Sequence, residues 1–244
     1  MKEKLIKEWK ETRVLFKSIP ATTCAIFVLS VVMMNLLANK LIVDLPWVSL
    51  DAGFCVSWVG FLCNDMIVKR FGPKAATKVT IFAMLSNLLA VAIFNVAAIL
   101  PGTWGVEENL VGASTQINAT LAGSWQVLFA STVAFVSSGA INNVLNWHIR
   151  KLMNNCKNDF VKFSIASYVS TAIGQFCDNF IFALLFTIPV FGISWLSAIG
   201  FAAAGAFFEL LCEIVFSPVG YKVSKKWEKE KVGEEYLKLV GKEC

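Results

Sequence analysis

Six long apolar runs divide this chain, and they restrict its fold more than any other feature. Each run is about 20 residues long, the length a helix needs to cross the hydrocarbon core of a bilayer. Only 16% of the 244 residues are charged, whereas a soluble domain averages about 25%. We therefore predict an all-α membrane protein with one six-helix transmembrane domain over residues 1–244. The spans are expected at residues 20–39, 47–68, 78–100, 124–147, 163–188 and 196–219.

The basic residues predict how these spans face the two sides of the membrane. Of the 22 Lys and Arg residues, every one except Lys40 lies in the N-terminal segment 1–19, in the loops after the second and fourth spans, or in the C-terminal tail 221–244. Short cytoplasmic loops carry an excess of Lys and Arg. We therefore expect both termini to be cytoplasmic, in a multi-pass protein of the inner or plasma membrane.

Acidic and amide residues lie inside these apolar runs. An Asp at the centre of a spanning helix costs about 2.5–3.5 kcal/mol on insertion scales, so such residues usually face the interior of the bundle. In the fifth span, Thr171, Gln175 and Asp178 share one helix face, because they are four and three residues apart. Glu209 and Glu213 share a face of the sixth span in the same way. We predict that these residues surround a polar site between the helices.

The fourth span also has a polar stripe, formed by Ser131, Ser138, Asn142 and Asn146. Amide and hydroxyl stripes are commonly interhelical hydrogen bonds, which contribute about 0.6 kcal/mol each. Asn142 is therefore a candidate substrate ligand with an alternative role in helix packing. If all the polar stripes have this packing role, the chain is instead a structural or interaction membrane protein without transport.

Several kinds of chemistry have no sequence support here. The chain has a single histidine, His148, and no GxxxxGK[ST] phosphate-binding loop. None of its seven cysteines forms a CxxC pair. We predict a protein that is not an enzyme, with no metal site and no cofactor, and with no nucleic acid among its partners.

Three segments carry a family resemblance: "NDMIVKRFGPKAA" (64–76), "ASTVAFVSSGAINNVLNWHIRK" (130–151) and "STAIGQFCDNFIFALLF" (170–186). They resemble segments of the vitamin uptake transporter family, which includes the bacterial queuosine precursor transporters. The most specific points are Asp65, ahead of "KRFG", and the pair Gly174 and Asp178. After that Gly the family usually has Asn, and this chain has Gln175. The resemblance implies a fold similar to the S-components of energy-coupling-factor importers.

The resemblance also implies a substrate, a 7-deazaguanine base such as 7-cyano-7-deazaguanine (preQ0), preQ1 or queuine. Such a base has two adjacent N–H donors and one carbonyl acceptor on its pyrimidine edge. A carboxylate accepts from both donors, and an amide N–H₂ donates to the carbonyl. The candidate substrate-binding residues are therefore Asp178, Asn179, Gln175, Glu209 and Asn142, and Phe176, Phe180 or Trp125 are candidates for stacking on the ring.

Asp65 and Glu213 are the candidate coupling or gating residues. Asp65 is expected to form an ion pair with Lys69 or Arg70 at the inner gate. An alternative to an independent transporter is the substrate-binding subunit of an ATP-driven energy-coupling-factor importer, which needs a partner subunit. Ala21 and Ala25 offer a small-residue surface that such a partner could contact.

Overall fold

The computed structural model describes residues 2–37, 40–45, 48–100, 113–122, 125–192 and 194–241. Nearly all of them are helical, as the sequence predicts. The elements are α1 (Lys2–Ser18), α2 (Ala21–Leu37), β1 (Leu41–Leu45), β2 (Val48–Asp51), α3 (Phe54–Phe71), α4 (Pro73–Ile99), α5 (Ala113–Ala122), α6 (Trp125–Leu152), α7 (Asp159–Phe182), α8 (Ile188–Phe191), α9 (Trp195–Lys229) and α10 (Glu234–Leu239). A 3₁₀ turn (Met153–Asn155) follows α6, and a π turn (Ala183–Thr187) joins α7 to α8.

A helix lies in each of the six predicted runs, but fewer than six of the described helices are long and apolar enough to cross a membrane. Four are: Pro73–Ile99, Leu128–Asn155, Asp159–Thr187 and Trp195–Lys229. A fifth span results if α1 and α2, which are bent by 101° from each other, count as one. Helix α3 has only 18 residues, and Asp65, Lys69 and Arg70 lower its apolarity. The chain is thus a multi-pass membrane protein, and six spans remain a prediction.

The predicted start of the second span, at residue 47, is wrong. Residues 48–51 form β2, which pairs antiparallel with β1 so that Leu45 lies opposite Val48. Both strands are short and rich in Leu, Ile and Val, and a short apolar run does not by itself distinguish a strand from a helix. The helix begins at Phe54 instead. Residues 46 and 47, where the predicted span begins, lie outside the described residues.

The sixth predicted span is also longer than expected, because α9 continues past Pro218 to Lys229. A proline inside a helix has no N–H, so it leaves the carbonyl four residues earlier without its usual donor. Here that carbonyl belongs to Ile214, and the hydroxyl of Ser217 donates to it at 3.2 Å. Ser217 therefore compensates for Pro218, and the helix is not interrupted.

The two terminal helices lie at the same end of the bundle. Helix α1 contacts α10, and Glu8 of α1 pairs with Lys78 at the start of α4 (Oε2 to Nζ, 2.8 Å). Asp159, at the start of α7, pairs there with Lys69 at 2.9 Å and with Lys225 at 2.8 Å. The basic loops thus gather at one end of the molecule, as a common cytoplasmic side requires.

Reporter fusions test the predicted topology. A reporter at Ser114 and a reporter at Cys244 are expected to report opposite compartments, with the C-terminal one cytoplasmic, because positive charge holds loops on that side. A third fusion ahead of α1 is the control, and we expect it to match the one at Cys244. Identical compartments for Ser114 and Cys244 would exclude the six-span topology.

Four helices form the polar interior. Helix α7 packs against α6 and α9, and α3 packs against the same two helices. Gly174 allows a close approach, because a Cβ there would lie 3.1 Å from Phe61 Cε1 and 3.2 Å from Asn142 Cβ. Because Gly174 has no side chain, α7 can pack closely against both α3 and α6 at this point.

Candidate functional site

Buried and half-buried polar side chains occupy the space between these four helices in two layers. The first, which we name the Asp178 layer, consists of Ser57, Ser138, Asp178, Asn179 and Glu209. The second, the Asp65 cluster, consists of Asp65, Asn142, Asn146, Ser167 and Glu213. Each layer takes at least one residue from each of the four helices. They lie roughly one to three helical turns apart, and the Asp65 cluster is nearer the basic end.

In the Asp178 layer, serine hydroxyls hold the two carboxylates. Ser138 Oγ donates to Asp178 Oδ1 at 2.7 Å and so connects α6 to α7. Ser57 Oγ donates to Glu209 Oε1 and connects α3 to α9. Glu209 is 5% exposed, and Asp178 is half-buried. The structure therefore places both predicted carboxylates inside the bundle, on facing helices.

Two amides on α7 have donors that the protein does not use. Gln175 Nε2 and Asn179 Nδ2 are buried, and neither has a hydrogen-bond partner among the described residues. The two residues are four apart, so they share a helix face with each other. A buried polar group without a partner costs about 1–3 kcal/mol. An acceptor from outside the protein would remove that cost.

Asn179 is held against α9 by a glycine. A Cβ on Gly205 would lie 2.6 Å from Asn179 Nδ2, which is too close for two such atoms. The missing side chain of Gly205 therefore provides the space that the Asn179 amide occupies.

The expected ion pair of Asp65 is wrong. Asp65 is fully buried, and its Oδ1 accepts from Asn146 Nδ2 at 2.8 Å and from Asn142 Nδ2 at 3.1 Å. Lys69 turns to the end of the bundle, where its Nζ lies 2.9 Å from Asp159 and 3.8 Å from Glu228. A lysine one turn away on the same helix can reach solvent-side carboxylates, whereas Asp65 faces the neighbouring helices.

Ser167 brings the two candidate coupling residues together. Its Oγ lies within hydrogen-bond distance of Asp65 Oδ2 and of Glu213 Oε1. Asp65, Ser167 and Glu213 all have 0% exposure. No Lys or Arg nitrogen of the described part of the chain lies within 4 Å of either carboxyl group. The cluster therefore holds two acidic groups without a cation.

Asn142 lies apart from the other candidate substrate-binding residues, because it belongs to the Asp65 cluster. Its amide donates to Asp65, and its Cβ packs where Gly174 leaves room. This contact crosses from α6 to α3, which is the packing role that the sequence left open as an alternative. A role of Asn142 in substrate binding stays a prediction.

Replacement of Asn142 by alanine should lower stability more than substrate affinity. The change removes a hydrogen bond to a carboxyl group, worth about 1.5–3 kcal/mol, and leaves a gap between α6 and α3. We expect a lower thermal midpoint and a dissociation constant within about threefold of wild type. Asn95→Ala is the control, since Asn95 donates to Val91 of its own helix at 2.9 Å rather than to another helix. A tenfold loss of affinity in Asn142→Ala with an unchanged midpoint would assign Asn142 to the substrate.

Ser57 and Ser167 were missed as site residues. For Ser167 the sequence contains a signal, because Ser164, Ser167 and Thr171 extend the stripe of Gln175 and Asp178 toward the start of α7 at spacings of three and four. On α3, Ser57 is not part of a comparable stripe, so the sequence contains no such signal for it. Of the stacking candidates, Phe176 and Phe180 stack on each other with ring centroids 5.9 Å apart, and the Trp125 side chain lies outside the described part.

Comparison with known families finds a match for most of the chain. A family model described as "Putative vitamin uptake transporter" matches residues 51–223. The chain belongs to the vitamin uptake transporter family. The match covers about seven tenths of the chain and includes every residue of the Asp178 layer and of the Asp65 cluster. No curated protein and no solved structure matches the chain.

Family membership confirms the resemblance seen in the sequence and indicates a vitamin-uptake type of membrane transporter rather than an enzyme. The described helices of this vitamin uptake transporter agree with a small-molecule substrate and a bilayer as its surroundings. The expected similarity to the S-components of energy-coupling-factor importers stays a prediction.

Proposed function

We propose that this vitamin uptake transporter imports a 7-deazaguanine precursor of queuosine, and that the Asp178 layer is its substrate site. Two buried amides, those of Gln175 and Asn179, are the main support for this function. They lie within one helical turn of Asp178, and their N–H₂ groups have no acceptor in the described part of the protein. The combination supports a ligand that presents a carbonyl acceptor beside N–H donors.

A 7-deazaguanine base has that pattern on one edge. Its ring N–H and exocyclic N–H₂ are adjacent, so one carboxylate can accept from both, as Asp178 would. Its carbonyl is next to them and would accept from Gln175 or Asn179. Glu209, held by Ser57 on the facing side, provides a second acceptor for an N–H elsewhere on the base. Bases without an amino group beside the ring N–H, such as hypoxanthine, leave one donor fewer for Asp178.

Rescue of queuosine in tRNA tests the proposal in cells. The host is a strain that can neither make nor import queuosine precursors and that has no energy-coupling-factor subunits. With the chain expressed, we expect queuosine to return to tRNA when 7-cyano-7-deazaguanine, preQ1 or queuine is supplied. Asp178→Asn at equal expression is the control and should rescue poorly.

The same experiment separates the alternatives. Rescue without a partner subunit excludes an obligatory ATP-driven partner. Rescue only after the subunits are added back would make this chain a substrate-binding subunit. An absence of rescue with all three precursors in both hosts would contradict the proposed substrate.

Gly205→Ala tests the position of Asn179 in the site. The new methyl group would displace the Asn179 amide, which is the end of a side chain and can move at little cost. We expect affinity for the base to fall several-fold, because one donor is moved, while the thermal midpoint changes little. Ala203→Val, on the exposed face of α9, is the matched control. Unchanged affinity in Gly205→Ala would remove Asn179 from the site.

A further inference from the structure

One serine hydroxyl lies between two buried carboxyl groups. Ser167 Oγ is within hydrogen-bond distance of both Asp65 Oδ2 and Glu213 Oε1. A hydroxyl has a single proton to donate, and otherwise it accepts. It can therefore donate to only one of the two groups, and a hydrogen bond with the other requires a proton on that carboxyl. Two contacts of this kind indicate one carboxylate and one carboxylic acid.

The other contacts of the cluster decide which group carries the proton. Asp65 accepts from Asn142 and Asn146 on one oxygen and faces Ser167 with the other. Three donors suit an ionised carboxylate. Glu213 Oε2 has no hydrogen-bond partner in the described part of the chain. The Glu213 carboxyl group has two hydroxyls within reach, those of Ser167 and Thr171, whereas Asp65 has three donors, so the geometry favours the proton on Glu213.

The charged groups around the cluster support the same assignment. Arg150, at the end of α6, lies within electrostatic range of Asp65 and favours its negative charge. Helix α2 has no charged residue. The two lysines of α4, Lys74 and Lys78, lie in its first two turns, where Lys78 pairs with Glu8.

Helices α7 and α9 face the cluster mainly with neutral groups. Hydroxyl groups of α7 surround the cluster: Ser167 itself, Thr171, which faces Glu213, Ser170, which accepts from Asn146 at 3.3 Å, and Tyr168, which bonds Ser217 at 2.6 Å. Asp159 of α7 is engaged by Lys69 and Lys225 at the basic end. On α9 the next acidic residue is Glu209, one turn from Glu213 and bonded to Ser57.

We propose that Asp65, Ser167 and Glu213 form the site of one coupling proton, which moves from Glu213 through Ser167 to Asp65 and is released during each transport cycle. In this step the O–H bond of Glu213 breaks as a new O–H bond forms on Ser167 Oγ. The original Ser167 proton passes to Asp65 Oδ2, so Ser167 ends as it began. One proton has moved, and no electron has.

Two unused acceptors lie beside Asp65 Oδ1, the oxygen next to the one that receives the proton. Asn142 Oδ1 and Asn146 Oδ1 are buried, and neither has a donor among the described residues. Protonated on Oδ2, Asp65 would donate to Ser167. After a turn of the carboxyl group its O–H would face the two amides, and rotation of either amide would present an acceptor to it. The surroundings of Asp65 can thus satisfy the hydrogen bonds of both its ionised and its protonated form. A group that gains and loses a proton requires such surroundings. Carboxyl groups inside membrane segments commonly have this role in transporters.

Infrared spectroscopy of the purified protein, without substrate, tests the proton site. At neutral pH we expect a C=O absorption of a protonated carboxylic acid that shifts in D₂O. Glu213→Gln should remove it, and Ser167→Ala should shift it, since Glu213 loses its hydrogen-bond acceptor. Glu228→Gln, at the basic end, is the control and should leave it unchanged. A carboxylic acid band that is the same in wild type, Glu213→Gln and Ser167→Ala would overturn the assignment.

Uptake into proteoliposomes tests the coupling, which rests on the proposed function. We expect an inward proton gradient to drive accumulation of 7-cyano-7-deazaguanine at least about tenfold above its external concentration. In Glu213→Gln, exchange of labelled for unlabelled base without a gradient should persist, and the driven accumulation should be lost. Exchange by wild type with no response to the gradient would overturn the coupling and leave the proposed function intact. No exchange by wild type would instead contradict the proposed substrate, while the infrared result still decides the proton site.

Discussion

Asp178→Asn is expected to weaken binding of a 7-deazaguanine base by about ten- to a hundredfold while the protein remains folded. Asparagine keeps an oxygen that accepts from Ser138, so the contact between α6 and α7 survives. It loses the second acceptor oxygen and the charge. Loss of one charge-assisted hydrogen bond costs about 1.5–3 kcal/mol, and each 1.4 kcal/mol is about tenfold in affinity. Isothermal titration of the purified protein with 7-cyano-7-deazaguanine measures the effect.

The matched control makes the same chemical change on the same helix. Asp159→Asn removes a carboxylate from the first residue of α7, where it pairs with Lys69 and Lys225 far from the Asp178 layer. Its affinity for the base is expected to stay within about twofold of wild type. If Asp178→Asn binds the base as tightly as wild type, Asp178 is not a substrate ligand.

Asp65→Asn is expected to reduce the rate of uptake at least about tenfold and to change the dissociation constant of the base less than threefold. Asparagine preserves the size of Asp65 and an oxygen that accepts from Asn142 and Asn146. It cannot be ionised, so it cannot receive the proton of Glu213. Initial uptake rates and equilibrium binding, measured on the same preparation, separate the two effects.

Lys69→Met is the companion variant for Asp65→Asn. The sequence suggested that Asp65 acts through Lys69, but the structure joins Lys69 to Asp159 and Glu228 instead. Loss of this lysine should therefore lower stability and leave the uptake rate per folded molecule largely unchanged. A large loss of affinity in Asp65→Asn, with normal folding, would place Asp65 in the substrate site.

The helices and the interior position of the acidic residues were predictable from the sequence. Apolar runs of spanning length have few alternatives to a helix in a membrane, because every backbone polar group must find a partner there. The cost of a charge in the same surroundings is why Asp178 and Glu209 point inward. Both arguments depend only on the order of residues along each helix.

The partners of these residues were not predictable, because they come from other helices. Lys69 is one turn from Asp65 and was the obvious local partner, yet Asn142 and Asn146 of α6 hold Asp65. Those contacts depend on how α3, α6 and α7 approach each other, which Gly174 helps to set. The hairpin of β1 and β2 was missed for a related reason, since its strands are stabilised by pairing with each other rather than by a local pattern.

The most direct measurement is uptake of 7-cyano-7-deazaguanine by the purified chain alone in proteoliposomes. We expect saturable uptake that unlabelled preQ1 or queuine inhibits and that Asp178→Asn reduces at least about tenfold at low substrate concentration. Hypoxanthine should compete weakly, because it lacks the amino group beside the ring N–H. Uptake by the wild-type chain no greater than that of protein-free liposomes, from a preparation that is folded and inserted, would contradict import of a 7-deazaguanine base by this protein.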